Sequence, residues 1–431
     1  MLDTQAPPEK AVLVGVQLGD MQGWELSYSL DELASLADTA GVTTLGRCTQ
    51  ARQQVSASTY IGRGKVEEVR NLALSVGADV VIFDNELSPA QISNLEKQIG
   101  VRVMDRSDVI LHIFAERAQT KEAKIQVDLA RMKYFLPRLK RQWTHLERQV
   151  GGVGVRGGMG EKQIEIDRRL IRKKIDRYEE DLRLIEKQRN LRERNRINQF
   201  TIALVGYTNV GKSTLFNRLT SADVLVENRL FATLDSTVRE IELGGHAFTI
   251  SDTVGFIRKL PHHLVASFRS TLEGALQADL LLHVVDMTSP VLEEQIRAVD
   301  EVLSQLNVKD KPTVYAINKM DLATPEQQQE IWRHIPANAP YVTISAHTGE
   351  HVDMLQELIV DTFADQFKQE TFVIPLRHSK WVARLHEIAT IQSEEYLPNN
   401  QIKIRCYGPT KLIEQFRKGW REVLATEGAK A

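Results

Sequence analysis

Hydrophobic positions recur with two different rhythms along this chain, and the changes of rhythm mark four regions. Up to about residue 115, short apolar runs alternate with amphipathic stretches. Ala11–Leu18 reads as a strand, Ser29–Gly41 as a helix with a glycine near its end, Gly64–Gly77 as a helix, Ala78–Asn85 as a strand, Ser88–Gly100 as a helix and Val101–Arg106 as a strand. Such alternation predicts an α/β domain with a mostly parallel sheet. Ser88 followed by Pro89 supplies a helix N-cap and a first-turn proline.

The rhythm then lengthens. Ile125, Leu129, Met132, Leu136, Leu139, Trp143 and Leu146 recur at spacings of four and three, and so do Ile171, Ile175, Tyr178, Leu182 and Ile185. Each series is a heptad seam. Between them Gly151–Gly160 holds too many glycines for a stable helix. Two antiparallel helices joined by a glycine-rich tip are predicted, the first kinked at Pro137. Arms of ~30 residues would carry the tip ~45 Å from their base. From Gln199 to Gln366 strand–helix alternation returns. From Thr371 a strand (TFVIPL), a helix (SKWVARLHEIA), a strand (QIKIRCYG) and a helix (PTKLIEQFRKGW) predict a small α+β domain. The expected fold is therefore multidomain α/β. It has an N-terminal α/β domain over 1–115, a helical hairpin over 116–198 with its tip at 151–160, a domain with a mostly parallel sheet and helices on both faces over 199–366, and a C-terminal α+β domain over 367–431.

Composition sharpens this picture in four places. A chain of 431 residues with 42% hydrophobic and 26% charged residues can bury several cores. Its 2 cysteines, Cys48 and Cys406, lie far apart, which argues against a disulfide framework or a zinc site. The start, MLDTQAPPEK, lacks a basic region followed by an apolar core, and no run approaches the ~20 apolar residues of a membrane span. A cytoplasmic protein is expected, with peripheral membrane association left open. The net charge of -2 conceals an asymmetry. From Arg117 to Asn198 there are 23 Lys+Arg against 12 Asp+Glu, a net of +11, which leaves -13 elsewhere. A basic segment on an acidic protein points to a polyanionic partner.

The chemistry lies in the third region. Gly206, Tyr207, Thr208, Asn209, Val210, Gly211, Lys212, Ser213 and Thr214 follow an apolar strand and fit the G-x-x-x-x-G-K-[ST] pattern. Glycines there let backbone N–H groups wrap a phosphate, and a helix starting at Lys212 adds its positive end. Lys212 should reach the β- and γ-phosphates, and the Ser213 hydroxyl should ligate Mg²⁺. Asp252, Thr253, Val254 and Gly255 follow a second apolar run; the acid can hold Mg²⁺ through water, and the glycine N–H can sense a γ-phosphate. Asn318-Lys319-Met320-Asp321 follows a third. The Asp321 carboxylate can accept the N1–H and exocyclic amine of guanine, a donor pair that adenine lacks. Asn318 would tie this loop to the phosphate loop, the Lys319 stem would pack on the base, and Ser345-Ala346 could offer a backbone N–H to the guanine oxygen. Phe231, Ala232, Thr233, Leu234 and Asp235 fall where a nucleotide-dependent loop would lie, and Thr233 and Thr237 compete to complete the Mg²⁺ shell with GTP. Lys212, Thr233 and Gly255 are the expected catalytic set. Phe256 stands where many GTPases place a water-orienting glutamine, so slow basal hydrolysis is expected.

These elements together resemble the GTPase division of P-loop proteins, and Thr233 is favoured by similarity to the Phe-Thr-Thr-Leu pattern of Obg-like GTPases. GGVGVRGGMGEKQIEIDRR, YIGRGKVEEV (Tyr60–Val69), FATLDSTVR and DTVGFIRKLPHHLVASFRSTLEGA are more closely similar to the HflX family of ribosome-associated GTPases, a resemblance that runs from about Val12 to Asp365. It implies GTP/GDP and Mg²⁺ as ligands, binding of the large ribosomal subunit and its RNA in the GTP state, and splitting of stalled ribosomes under heat or other stress. Arg138, Lys140, Arg141, Arg148, Arg156, Lys162, Arg168 and Arg169 are then the candidate RNA contacts, since Lys and Arg contacts to phosphate dominate RNA affinity. A monomer without DNA affinity is expected, its seams pairing within one chain. Three alternatives stay open: a tRNA-modification GTPase, an assembly factor, and an RNA-remodelling protein using ATP through the N-terminal domain. Gly62-Arg63-Gly64-Lys65 lacks P-loop spacing and reads as a tight turn before a helix. His262 and His263 read as part of a second switch loop.

Overall fold

The computed structural model describes residues 8–19, 21–138, 161–193, 200–220, 230–231, 237–259, 273–308, 310–337, 339–364 and 367–428. The chain forms two units, each interrupted in sequence: Met1–Lys187 with Leu225–Asp235 and Ile257–Leu272, and Gln188–Val224 with Ser236–Phe256 and Glu273–Ala431.

The first unit is built on β1 (Glu9–Leu18), β2 (Val42–Arg52), β3 (Val80–Phe83) and β4 (Arg102–Asp105), all parallel in the order β2-β1-β3-β4. A strand covered on both faces must be apolar at every position, and Ala11–Val14 of β1 are fully buried. Val12, Val14 and Val16 pack with Val66 and Val69 of α2 (Arg63–Val76) and with Ile92 and Leu95 of α3 (Pro89–Ile99). On the other face, Gly15 leaves room for Leu26 and Leu30 of α1 (Gly23–Thr39). Ser88 caps α3, its hydroxyl accepting from Gln91 N while Gln91 Oε1 accepts from Ser88 N. β2 was not among the expected strands. It lies at a sheet edge with only Val42 and Cys48 buried, so its sequence carries no apolar run.

Next come α4 (Arg106–Arg117), α5 (Lys121–Phe135) and the 33-residue α6 (Glu161–Glu193). Lys133 Nζ of α5 lies 2.8 Å from Glu179 of α6. The described seam positions face inward: Ile125, Leu129 and Ile175 are buried, and Met132, Leu136, Ile171, Tyr178, Leu182 and Ile185 are half-buried, while Leu139, Trp143 and Leu146 lie outside the described residues. At Pro137 the α-helix stops, at Phe135, and a 3₁₀ turn covers Leu136–Arg138. The glycine-rich tip, with Lys140, Arg141, Arg148 and Arg156, lies outside the described residues. Lys162 is on α6, but its side chain is likewise outside them; Arg168 is half-buried and Arg169 exposed.

Arg138 departs from expectation. Only 6% of it is exposed. Its guanidinium sits 3.5 Å from the centre of the Tyr134 ring and donates to Tyr134 O (2.9 Å), Leu87 O (3.0 Å) and Asp105 Oδ2 (3.4 Å). Asp105 also accepts from Tyr134 Oη at 2.9 Å. Burial pushes the Asp105 carboxyl up against the pull of Arg138. The arginine is engaged as the counter-charge of a buried acid and has no face left for RNA.

The second unit holds β5 (Phe200–Gly206), β6 (Thr237–Leu243), β7 (His246–Asp252), β8 (Leu280–Asp286), β9 (Thr313–Asn318) and β10 (Tyr341–Thr343) in the order β10-β9-β8-β5-β7-β6. Only β6 runs antiparallel, against β7. The phosphate-loop helix α7 is Lys212–Thr220, followed by α8 (Glu273–Gln277), α9 (Leu292–Gln305), α10 (Pro325–Glu330) and α11 (Val352–Phe363). An antiparallel sheet, β11 (Phe367–Pro375), β13 (Gln401–Pro409) and β12 (Thr390–Leu397) in that order, is covered by α12 (Ser379–Ile388) and α13 (Thr410–Gly428). β12 was unexpected because none of its residues is buried, so its sequence shows no apolar rhythm.

Candidate functional site

Parallel strands deliver their C-terminal ends to one edge of a sheet, and in open α/β sheets ligands bind there. In the second unit β5, β7, β8 and β9 end on Gly206, Asp252, Asp286 and Asn318. Three of these four belong to the expected motifs.

The loop after β5 is closed by contact with the others. Gly211 has φ +95, and a Cβ there would stand 2.3 Å from Asn318 Nδ2. That amide donates to Val210 O at 2.7 Å, and Asn318 Oδ1 accepts from Ala346 N at 2.8 Å. One side chain thus joins the phosphate loop, the Asn318–Asp321 loop and the Ser345–Ala346 loop. Gly255 is held as tightly, since a Cβ on it would meet Thr208 Cγ2 at 2.8 Å and Lys212 Nζ at 3.1 Å. Phe256 N donates to Gly206 O (3.1 Å), and Thr208 N donates to Phe256 O (2.7 Å). The Phe256 ring is 1% exposed and apolar, so it cannot orient a water.

Lys212 is buried and donates to Gly206 O at 3.1 Å and Tyr207 O at 2.7 Å. Burial lowers its ammonium to about 8, against the opposing charge of Asp252. Beneath it His283 is fully enclosed, lowered to about 3 by burial and by the charge of Lys212, and therefore neutral. Ser213 Oγ donates to Asp252 Oδ2 at 2.8 Å. Hydroxyl and carboxylate are hard oxygen donors of the type Mg²⁺ takes, with phosphate oxygens and water completing such shells. No cluster of three or more His, Cys, Asp or Glu able to hold a metal occurs among the described residues. The Ser213 hydroxyl and Asp252 carboxylate fit a metal whose shell phosphate oxygens and water would complete.

In the loop after β9, Lys319 takes a left-handed backbone (φ 67), and Asp321 lies exposed in the 3₁₀ turn Met320–Leu322. Ser345 and Ala346 are buried. Lys319 Nζ is 2.7 Å from Asp286 Oδ2. Sequence reasoning missed Asp286 and His283. The available signal for Asp286 was an acid closing an apolar strand in the same way as Asp252.

Not every expected residue joins this set. Ala232, Thr233, Leu234, Asp235, His262 and His263 lie outside the described residues. Phe231 belongs to the first unit, buried with its ring edge-on to Phe114 at 4.6 Å, so its side chain is used in packing rather than in lining a nucleotide. Thr237 opens β6 opposite Asp252. In the first unit Gly62 caps α2, its N–H given to Gln50 Oε1 at 3.0 Å, and Lys65 pairs with Glu68 at 2.6 Å. Cys406 is buried in β13 with its thiol pushed up to about 11 by burial. Among the described residues no helix is long and apolar enough to cross a membrane.

Three family models match the chain: GTP-binding GTPase N-terminal over residues 27–115, GTP-binding GTPase Middle Region over 117–196, and 50S ribosome-binding GTPase over 201–319. The chain is 42% identical over 394 residues to the GTPase HflX of Magnetococcus marinus, covering 91% of this chain and 90% of that protein. It is 41% identical over 412 residues to the GTPase HflX of Escherichia coli K12, covering 95% and 96%. A GTP-binding protein from the archaeon Sulfolobus solfataricus, crystallised with GDP, is 23% identical over 83% of this chain and 99% of that one, with a TM-score of 0.43.

Proposed function

Because this chain belongs to the HflX family of GTPases, we propose that its GTP-bound form binds the large ribosomal subunit, splits or rescues stalled ribosomes under stress such as heat, and is released when GTP is hydrolysed to GDP and phosphate. The observation that carries this reading is the joining, in one chain, of a built guanine-nucleotide cradle to a segment of net charge +11.

The cradle's residues divide the work. Backbone N–H groups of the loop from Gly206 and the start of α7 face the phosphates, and Lys212 neutralises the β- and γ-oxygens. Ser213, Thr233 and, through water, Asp252 would hold Mg²⁺, which would supply charge neutralisation to the phosphates. Gly255, already against Thr208 and Lys212, gives its N–H to the γ-phosphate. Asp321 reads guanine. Phe256 leaves the attacking water without a side-chain guide, so turnover stays slow until a ribosomal group or another loop orients it. Lys140, Arg141, Arg148, Arg156, Lys162, Arg168 and Arg169, the last exposed on α6, contact ribosomal RNA. The protein works in the cytoplasm as a monomer.

A tRNA-modification role with Cys406 as the nucleophile is disfavoured, because that residue is buried and held as a thiol. The test is sedimentation of intact ribosomes with the protein and a non-hydrolysable GTP analogue, GDP or ATP. The expected result is subunits with the GTP analogue alone, the protein travelling with the large one. A protein that stays at the top of the gradient with every nucleotide would sink the ribosome reading.

A further inference from the structure

In the reading of the Asn318–Asp321 loop as the guanine site, the carbon stem of Lys319 is the part that packs on the base. A lysine stem has four rotatable bonds and no fixed course of its own. Here its ammonium ends 2.7 Å from Asp286 Oδ2. That carboxylate is itself immobilised: its other oxygen accepts from Thr288 N at 2.9 Å and from Thr288 Oγ at 2.6 Å, and Ser289 N closes the turn on Asp286 O at 3.2 Å. Asp286 is the last residue of β8 and stands in register with Asn318, the last of β9. Met287 N also donates to Asn318 O at 3.0 Å. Acid and lysine therefore ride on adjacent strand ends of one sheet. Their side chains are 15% and 26% exposed, so solvent screens the pair only in part.

We propose that Asp286 is a positioning residue for the guanine base: by anchoring the Lys319 ammonium it lays the lysine stem along a fixed line, a preformed apolar wall for one face of the purine. A wall set before the nucleotide arrives spares the ordering of a long side chain on binding. The proposal rests on the reading of this loop as the guanine site.

The test measures GDP affinity by displacement of a fluorescent GDP from the full chain, for the native protein, Asp286→Asn, Asp286→Glu, Lys319→Met and the Asp286→Asn/Lys319→Met double variant, with ADP as a second competitor. Asp286→Asn is expected to weaken GDP about threefold to tenfold, with Asp286→Glu restoring part of the loss. In the Lys319→Met background the same change should cost nothing further, because its effect passes through the lysine. Native affinity in Asp286→Asn, or losses that multiply in the double variant, would overturn the proposal. Should Asp286→Asn fail to fold, Thr288→Val removes one bond to the carboxylate and must show a smaller loss that also vanishes with Lys319→Met. A native protein that binds ADP as tightly as GDP would instead overturn the guanine reading, and this proposal with it.

Discussion

Lys212 shows how one residue can carry both a motif and a condition. Burial among loop carbonyls brings its ammonium down to about 8 before any phosphate arrives. Phosphate oxygens favour the charged form, so binding near pH 9 must take up a proton, whereas at pH 7 the lysine is already charged. GDP affinity should therefore fall as pH rises above about 8, by up to about tenfold per unit. Calorimetry in two buffers of different ionisation enthalpy would detect the uptake at pH 9. Equal affinity and no proton exchange at both pH values would refute the account. The motif itself was legible because its residue types are dictated by phosphate chemistry. His283 was not, because a neutral histidine inside LLLHVVD leaves no mark distinguishing it from the apolar run around it. Asp286 was hidden for another reason: its partner is thirty-three positions away, and only the register of β8 on β9 brings them together.

Among elements, legibility followed burial. Helices and strands covered on one or both faces announced themselves by period, as β1, α3 and the α5 and α6 seams did. β2 and β12 are held by neighbouring strands with little buried surface of their own, and their sequences carry no rhythm. The end of α5 shows a limit of a different kind. A basic residue in a basic segment reads as a surface charge, yet Arg138 is folded back over Tyr134 to serve Asp105. Replacing Arg138 by Met would leave Asp105 buried without its counter-charge, and a loss of about 3–5 kcal/mol in urea unfolding is expected. Tyr134→Phe removes only the 2.9 Å bond to Asp105 and should cost about 1.5–3 kcal/mol. If Arg138→Met unfolds like the native protein, the arginine is not structural and returns to the RNA candidates.

At the scale of the whole molecule, linear order and compactness disagree. The first unit includes Phe231 and Lys259, both from the stretch of sequence that carries the nucleotide motifs. Phe231 packs on Phe114. Lys259 donates to Ser29 Oγ at 3.0 Å and pairs with Asp84, which also pairs with the buried Arg106 at 2.9 Å. Burial alone would raise the Asp84 carboxyl, but the charges of Arg106 and Lys259 outweigh it and hold the group low. A fragment beginning at β5 would keep every described residue of the cradle yet lose the partners of Phe231 and Lys259. Limited proteolysis of that fragment should cut near these two residues faster than in the full chain, by about tenfold or more if local opening becomes easier by 1.4 kcal/mol. Equal rates would mean that those contacts protect nothing. The consequence reaches to how such a chain can be inherited. Its front and rear halves are laced rather than strung, so neither is a cassette that recombination can exchange alone. An ancestor that swapped its first 187 residues would also have had to supply a new seat for one aromatic ring and a new acid for one lysine.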